Sequence, residues 1–361
     1  MTRPSSWDQD PQVVSPVGRP LAELLARRPR RQDLHGFEES YSDIVDYIVR
    51  CTHRIWEEKN VGLCRSHYAP DCVMHTLAGP ARGLDAVVEG TIGALSAYTD
   101  RIVVSDDVIW SEDAPGLYLS SHRITSHATH MGDDPALGGT ASLAAAGVTT
   151  VADCLVRENL IVEEWLVRDN LLAARQTGRD VWDLARTQVT ADAAGDSRRH
   201  DWRLQWIERV RAASQSEVPS SHPAQIVVNA WQLALEQDLY GDASSQYSPA
   251  AEIRWPSGRQ GFGRGYWIGC LLQLRSALQD VRWRADHVAA RPLPQGDVAA
   301  AVRWSLVGRH RGGAVWGTPS GREILIMGVT HCRLRGGAIV EEITVFDELA
   351  VLRQTLGGLG A

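Results

Sequence analysis

The sequence predicts an α+β protein built as two tandem copies of one fold, and three observations lead there. The first is an internal repeat: Ile161 to Thr177 and Ile339 to Thr355 align without a gap and share ten of seventeen residues, where unrelated segments would share roughly one. The second is a change of period inside each repeat. Ile161, Glu163, Trp165, Val167 and Asp169 alternate at period two, which fits a strand, whereas Leu171, Leu172 and Arg175 fit helical spacing. Each copy therefore ends in a strand whose last residue is an Asp at the mouth of a helix. The third is that helices come first and strands follow, in the same order twice.

The elements support this in turn. Residues 1–37 form an N-terminal arm rich in Pro and Arg, with LARRPRR at Leu25 to Arg31. It reads as a solvated arm, or as a segment docked onto a neighbouring domain through Leu21, Leu24 and Leu25. The first domain spans 38–178. Ile44, Tyr47, Ile48, Cys51 and Ile55 recur at helical spacing over 41–59, with Ser42 or Asp43 as the cap. A turn and short strand follow at His67 to Thr76, then a helix over 84–98 and strands near 102–110, 116–130 and 148–157. A linker spans 179–221, and part of it is helical, because Trp202, Trp206, Ile207 and Val210 form one stripe. The second domain spans 222–361. Its first helix aligns Val227, Ala230, Trp231 and Ala234, and its turn and strand at Gln246 to Trp255 match the first copy, Tyr247 to Tyr68 and Pro249 to Pro70. A helix near 265–279 and strands near 281–290, 298–309, 323–334 and 339–347 complete it.

Composition narrows the function. A net charge of −7 opposes bulk nucleic-acid binding, which wants a basic face. Thirteen Trp against three Phe point to cores, interfaces or ligand pockets. Six Cys without a C-x-x-C pair read as free thiols of a cytoplasmic protein. No run of eighteen apolar residues suggests a membrane span, and the N-terminus lacks a secretory signal.

Arg303 to Leu349 carries an ordered set of motifs: G-x-H-x-G at Gly308, His310 and Gly312, then TPSGR at Thr318 to Arg322, Arg333, Gly337 to Glu341 and Asp347. The first copy keeps Thr129 to Gly132, Ile161 to Trp165 and Asp169. This set resembles the SnoaL-like polyketide cyclases of the nuclear-transport-factor-two superfamily. The first copy departs in a long Gly/Ala loop, Gly132 to Gly147, and the second has Ile343 where a Trp usually stands. The resemblance implies two cone-shaped barrels, each a curved antiparallel sheet wrapped around helices with a ligand pocket at the open end. It also implies that the Asp at Asp169 and Asp347 is a general acid/base.

The residues allow that chemistry. A carboxylate beside Trp165 and Val167 is costly to ionise, so its pKa should rise toward working pH. An Asp between strand and helix is also a good N-cap, and the two roles are compatible. His122 is a candidate partner acid. His75, His130, Arg123, Asp153, Trp165 and His331 are candidate pocket residues. Asp153 and His331 stand at equivalent strand positions. No pair has tight metal-ligand spacing, so neither a metal nor a cofactor is expected. Glu163 and Glu341 precede the Asp by six residues, about 20 Å along a strand, too far for a carboxylate dyad. Cys154 and Cys332 read as small core residues.

The expectation is thus a cofactor-independent cyclase, lyase or isomerase acting on a small carbonyl-bearing or polyketide-like substrate. The first copy is favoured, its long loop serving as a lid. The alternative is a non-catalytic binding or structural protein. A third reading, an epoxide hydrolase, needs an Asp153–Arg123–Asp169 array with Arg123 pointing inward. The two copies are expected to pack through their sheets as an internal pseudo-dimer, with a homodimer as a further option. No nucleic-acid or membrane partner is expected.

Overall fold

The structure is a computed structural model that describes residues 16–193, 198–213, 218–293, 296–313 and 315–357. The start of the N-terminal arm, parts of the linker and the last four residues of the second domain lie outside the described residues. The chain divides into two compact units. One comprises the chain to Thr76 with Pro80–Arg179, the other Leu77–Gly79 with Asp180 to the C-terminus.

The first unit contains α1 (Leu21–Leu24), α2 (Ile44–Trp56), α3 (Cys64–His67), β1 (Tyr68–His75), β2 (Ala81–Arg82), α4 (Leu84–Ala97), β3 (Ile102–Ala114), β4 (Leu117–Thr129), β5 (Ala145–Arg157), β6 (Leu160–Arg168) and α5 (Asn170–Gln176). Asp43 caps α2 by accepting from the Asp46 amide at 2.8 Å, as its position before the apolar stripe predicts. The six strands form one sheet in the order β2-β1-β6-β5-β4-β3. The sheet is mixed rather than purely antiparallel: β1 runs parallel to β6, because helix α4 and the strands after it separate the two in sequence. The arm is a correction to its solvated reading. Leu24, Leu34 and Phe37 are buried in the same core as Tyr47, Trp110 and Tyr118, where they remove apolar surface from water.

The second unit repeats this plan after two helices drawn from the linker, α6 (Val181–Ala193) and α7 (Arg198–Ala212). It continues with α8 (Gln225–Glu236), α9 (Tyr240–Ser244), β7 (Tyr247–Trp255), β8 (Arg259–Phe262), α10 (Gly263–Ala277), β9 (Leu278–Pro292), β10 (Val298–His310), β11 (Glu323–Arg335), β12 (Ala338–Phe346) and α11 (Glu348–Thr355). The strand order is β8-β7-β12-β11-β10-β9, the same as in the first sheet, with β7 parallel to β12. Trp202, Trp206, Ile207 and Val210 are buried as their stripe predicts, and the Trp206 indole donates to Ser305 Oγ on β10 at 2.8 Å. Each unit is thus the cone-shaped α+β body that the resemblance implies, a curved six-stranded sheet around helices.

Both copies also share a loop clamp. The Ser142 amide donates to His130 Nδ1 at 3.1 Å, and the Ser320 amide donates to His310 Nδ1 at 3.3 Å. An N–H can only donate, so Nδ1 is the acceptor in both rings. His130 therefore ties the base of the long loop.

Candidate active site in the first unit

A cavity of about 210 Å³ opens inside the first cone. Its apolar wall includes Ile48, Ile55, Met74, Val87, Ile124 and Leu166. Polar groups reach it from separate sides: Thr52 from α2, Tyr68 from β1, His122 from β4, Glu164 and Arg168 from β6, Arg101 at the start of β3, and Asp134 from the long loop. Pro135 and Ala136 of that loop also line it, so the segment expected as a lid forms part of the cover.

The strand face differs from the one the alternation suggested. Glu164, Leu166 and Arg168 point into the cavity, while Asp169 and Trp165 are not among its lining residues. The pairing of β5 with β6 shifts register between Leu155 and Val156. That irregularity lets Ile161 face inward together with the even-numbered residues beyond it. Asp169, 5 % exposed, accepts from the Leu172 amide at 3.2 Å and caps α5. Asp347 caps α11 in the same way, accepting from Leu349 and Ala350 at 3.0 and 3.1 Å. In both copies the Asp sits at its helix mouth.

Of the other expected residues, only His122 lines the cavity. His75 lies elsewhere: its Nε2 is 2.7 Å from Glu163 Oε1 and its ring stacks on Trp165. Asp153 pairs across the sheet with Trp165 and Ser121, on the face opposite His122. Arg123 is on that opposite face too, with Nη1 3.5 Å from Asp106 Oδ2. The epoxide-hydrolase array is therefore not assembled around the cavity. His331 stands opposite Ala301 and Ile343 on β11 of the second unit.

His122 is 1 % exposed, with Thr52 Oγ1 at 3.4 Å from Nδ1 and Ser105 Oγ at 3.1 Å from Nε2. Burial, aided by the Arg123 charge, pushes its pKa down to about 3, so the imidazole is neutral. Glu164 is the residue that the sequence reading passed over. Its carboxyl is buried, and Tyr68 donates to Oε2 at 2.9 Å. Desolvation raises its pKa, opposed by that hydrogen bond and by Arg168. Across two strand spacings and two residues, His122 and Glu164 stand about 12 Å apart at Cα, room for a small molecule between them.

The second cone is filled instead. Arg168 and Thr150 pair across the first sheet as Phe346 and Gly328 do across the second, and Ile124 beside Thr150 corresponds to Trp304 beside Gly328. Likewise Val103 opposite Ser126 becomes Trp283 opposite Leu306. The larger residues occupy the interior: the Trp231 ring lies 5.0 Å from Trp304 and 5.9 Å from Trp283, and Trp304 lies 5.9 Å from Phe346. Glu342, equivalent to Glu164, is buried there and accepts from Trp231 Nε1 at 3.3 Å and from Tyr247.

The two sheets share one strand order, so the chain carries two like α+β bodies in tandem. Residues 245–355 match the family model of the SnoaL-like polyketide cyclases, and the chain, with its two like sheets, resembles that family in tandem. The chain is similar in structure to TsrD from Streptomyces laurentii, with 20% identity, 37% of this chain and 94% of that one covered, and a TM-score of 0.33. It is also similar to an NTF2-like protein from Exiguobacterium sp. 255-15, with 19% identity, 35% and 99% covered, and a TM-score of 0.28. No curated protein matches the chain.

Proposed function

We propose that the first unit is a cofactor-independent acid/base enzyme of the cyclase, lyase or isomerase type, acting on a small carbonyl-bearing substrate in its cavity. The observation that carries this is the buried Glu164 carboxyl facing an apolar cavity across from a neutral imidazole. A carboxyl whose pKa is raised by desolvation accepts a proton next to a carbonyl and returns it at another atom, with no second group required. Tyr68, hydrogen-bonded to Glu164, fixes the carboxyl's orientation. Neutral His122, held between Thr52 and Ser105, places an uncharged polar ring on the opposite wall. In this reading Asp169 and Asp347 hold helix termini, and the second unit is the filled, supporting copy.

One observation favours a second reading, a non-catalytic ligand-binding protein. The Tyr68–Glu164 pair recurs as Tyr247–Glu342 in the filled cone. The test is proton exchange: α-tetralone in D₂O, followed by NMR with and without protein. The enzyme reading expects faster exchange at the α-carbon with wild type and background exchange with Glu164→Gln. Equal rates with both proteins favour the binding reading.

A further inference from the structure

We propose that the cavity of the first unit takes a substrate bearing a carboxylate, and that Arg101 and Arg168 are the residues that hold it. This rests on the first-unit cavity being the working site, though not on any catalytic step there. Both guanidinium-bearing side chains line the main cavity and also a smaller adjoining space of about 40 Å³ beside Tyr98, Ser126 and Asn170. Two cations thus border the same end of the chamber. The acids that line the same cavity are engaged elsewhere: Asp134 accepts from the Ala136 and Leu137 amides at 2.7 and 3.2 Å, and Glu164 accepts from the Tyr68 hydroxyl at 2.9 Å.

Two ring faces hold Arg101 in place. Its guanidinium lies 4.9 Å from the Trp56 centroid and 5.3 Å from that of Tyr98. Stacking of this kind fixes the plane of the fork and leaves its N–H edges for a ligand. Its Nε is buried with no hydrogen-bond partner. Burial and the neighbouring Arg168 lower its pKa to about 10, which leaves it charged at neutral pH. Two cations brought together in a low-dielectric chamber repel one another, and an incoming anion relieves that cost.

The filled cone supplies the internal control. Register places Phe346 where Arg168 stands, and Val281, two residues before Trp283, where Arg101 stands two before Val103. The Tyr–Glu pair persists in both cones, so the fold retains it whether or not there is a cavity. At the two equivalent positions the second cone has apolar residues, Val281 and Phe346. A planar carboxylate suits two guanidiniums on one end of a small apolar chamber, with the apolar body of the substrate reaching toward Glu164, four residues or about 13 Å along β6.

The experiment compares 2-naphthaleneacetate with its primary amide, matched in shape and differing in charge, by titration calorimetry on the full chain. Wild type should bind the acid at least tenfold more tightly than the amide, and raised salt should weaken the acid alone. Arg168→Met should bring the two ligands within about twofold of each other, and Arg168→Lys should keep part of the preference. Glu164→Gln should retain the preference, which separates this inference from the catalytic reading. Equal binding of acid and amide by wild type, no binding of either at millimolar concentration, or loss of the preference in Glu164→Gln would overturn it. If Arg168→Met does not fold, the salt dependence in wild type decides: an acid preference indifferent to salt counts against the arginines.

Discussion

Acid should destabilise the first unit through His122, and the size of the effect follows from its burial. The imidazole titrates near 6.5 in an unfolded chain, and in the folded unit its pKa is pushed down to about 3. Between these values the unfolded chain binds a proton that the native form does not. Stability from this group is therefore complete above pH 6.5, falls as pH drops through 6.5 and levels off below about 3. At about 1.4 kcal/mol per unit, going from pH 7 to 5 removes roughly 2 kcal/mol, a large share of a 5–15 kcal/mol total. Buried Glu164 has the opposite sign, since its raised pKa makes the native form the better proton binder. A difference measurement is therefore needed. Urea unfolding of wild type and His122→Gln, followed by circular dichroism at pH 7, 6 and 5, isolates the one group. The stability difference between the two should shift by roughly 2 kcal/mol toward the variant over that range. A difference independent of pH would refute the assignment of His122 as a neutral buried imidazole.

Other expectations follow from the same geometry. Asp169→Ala should cost ~1 kcal/mol in urea unfolding and Asp169→Asn much less, because Asn caps a helix about as well; equal losses would contradict the cap. In the second cone a Cβ on Gly328 would lie 2.2 Å from the Trp304 ring, so Gly328→Ala should lower stability by about 1–3 kcal/mol through overpacking, read by thermal unfolding. The double change Ile124→Trp with Thr150→Gly copies that filling into the first cone. It should leave a folded protein by circular dichroism that no longer binds 2-naphthaleneacetate, and undiminished binding would place the ligand elsewhere.

The repeat was legible because strand-to-helix junctions at Asp169 and Asp347 impose the same period change and the same cap. Trp202, Trp206, Ile207 and Val210 were legible for a similar reason: a stripe of large apolar residues on one helix has to be covered. The pocket face was not. On β6 the odd-numbered set, Trp165 and Val167, is the more apolar, so alternation alone pointed it inward. The irregular pairing at Leu155 and Val156 depends on how two distant strands meet, which no local pattern encodes. Glu164 was hidden for the same reason, beside Glu163 in a sequence that does not say which of two adjacent carboxylates faces in. The usable signal was the joint repetition of Tyr68 with Tyr247 and Glu164 with Glu342. The imbalance between cones was also visible in outline, since Trp231, Trp283 and Trp304 all fall in the second copy. Only the register shows that they stand at cavity positions.

The central claim is that proton transfer in the first cone is carried by Glu164 and not by Asp169. The direct test is α-proton exchange of α-tetralone in D₂O by wild type, Glu164→Gln and Asp169→Asn, measured across pH. Wild type and Asp169→Asn should exchange at similar rates that rise with pH through a midpoint above that of an ordinary carboxylate, while Glu164→Gln stays at background. Background exchange in Asp169→Asn with full activity in Glu164→Gln would contradict the account.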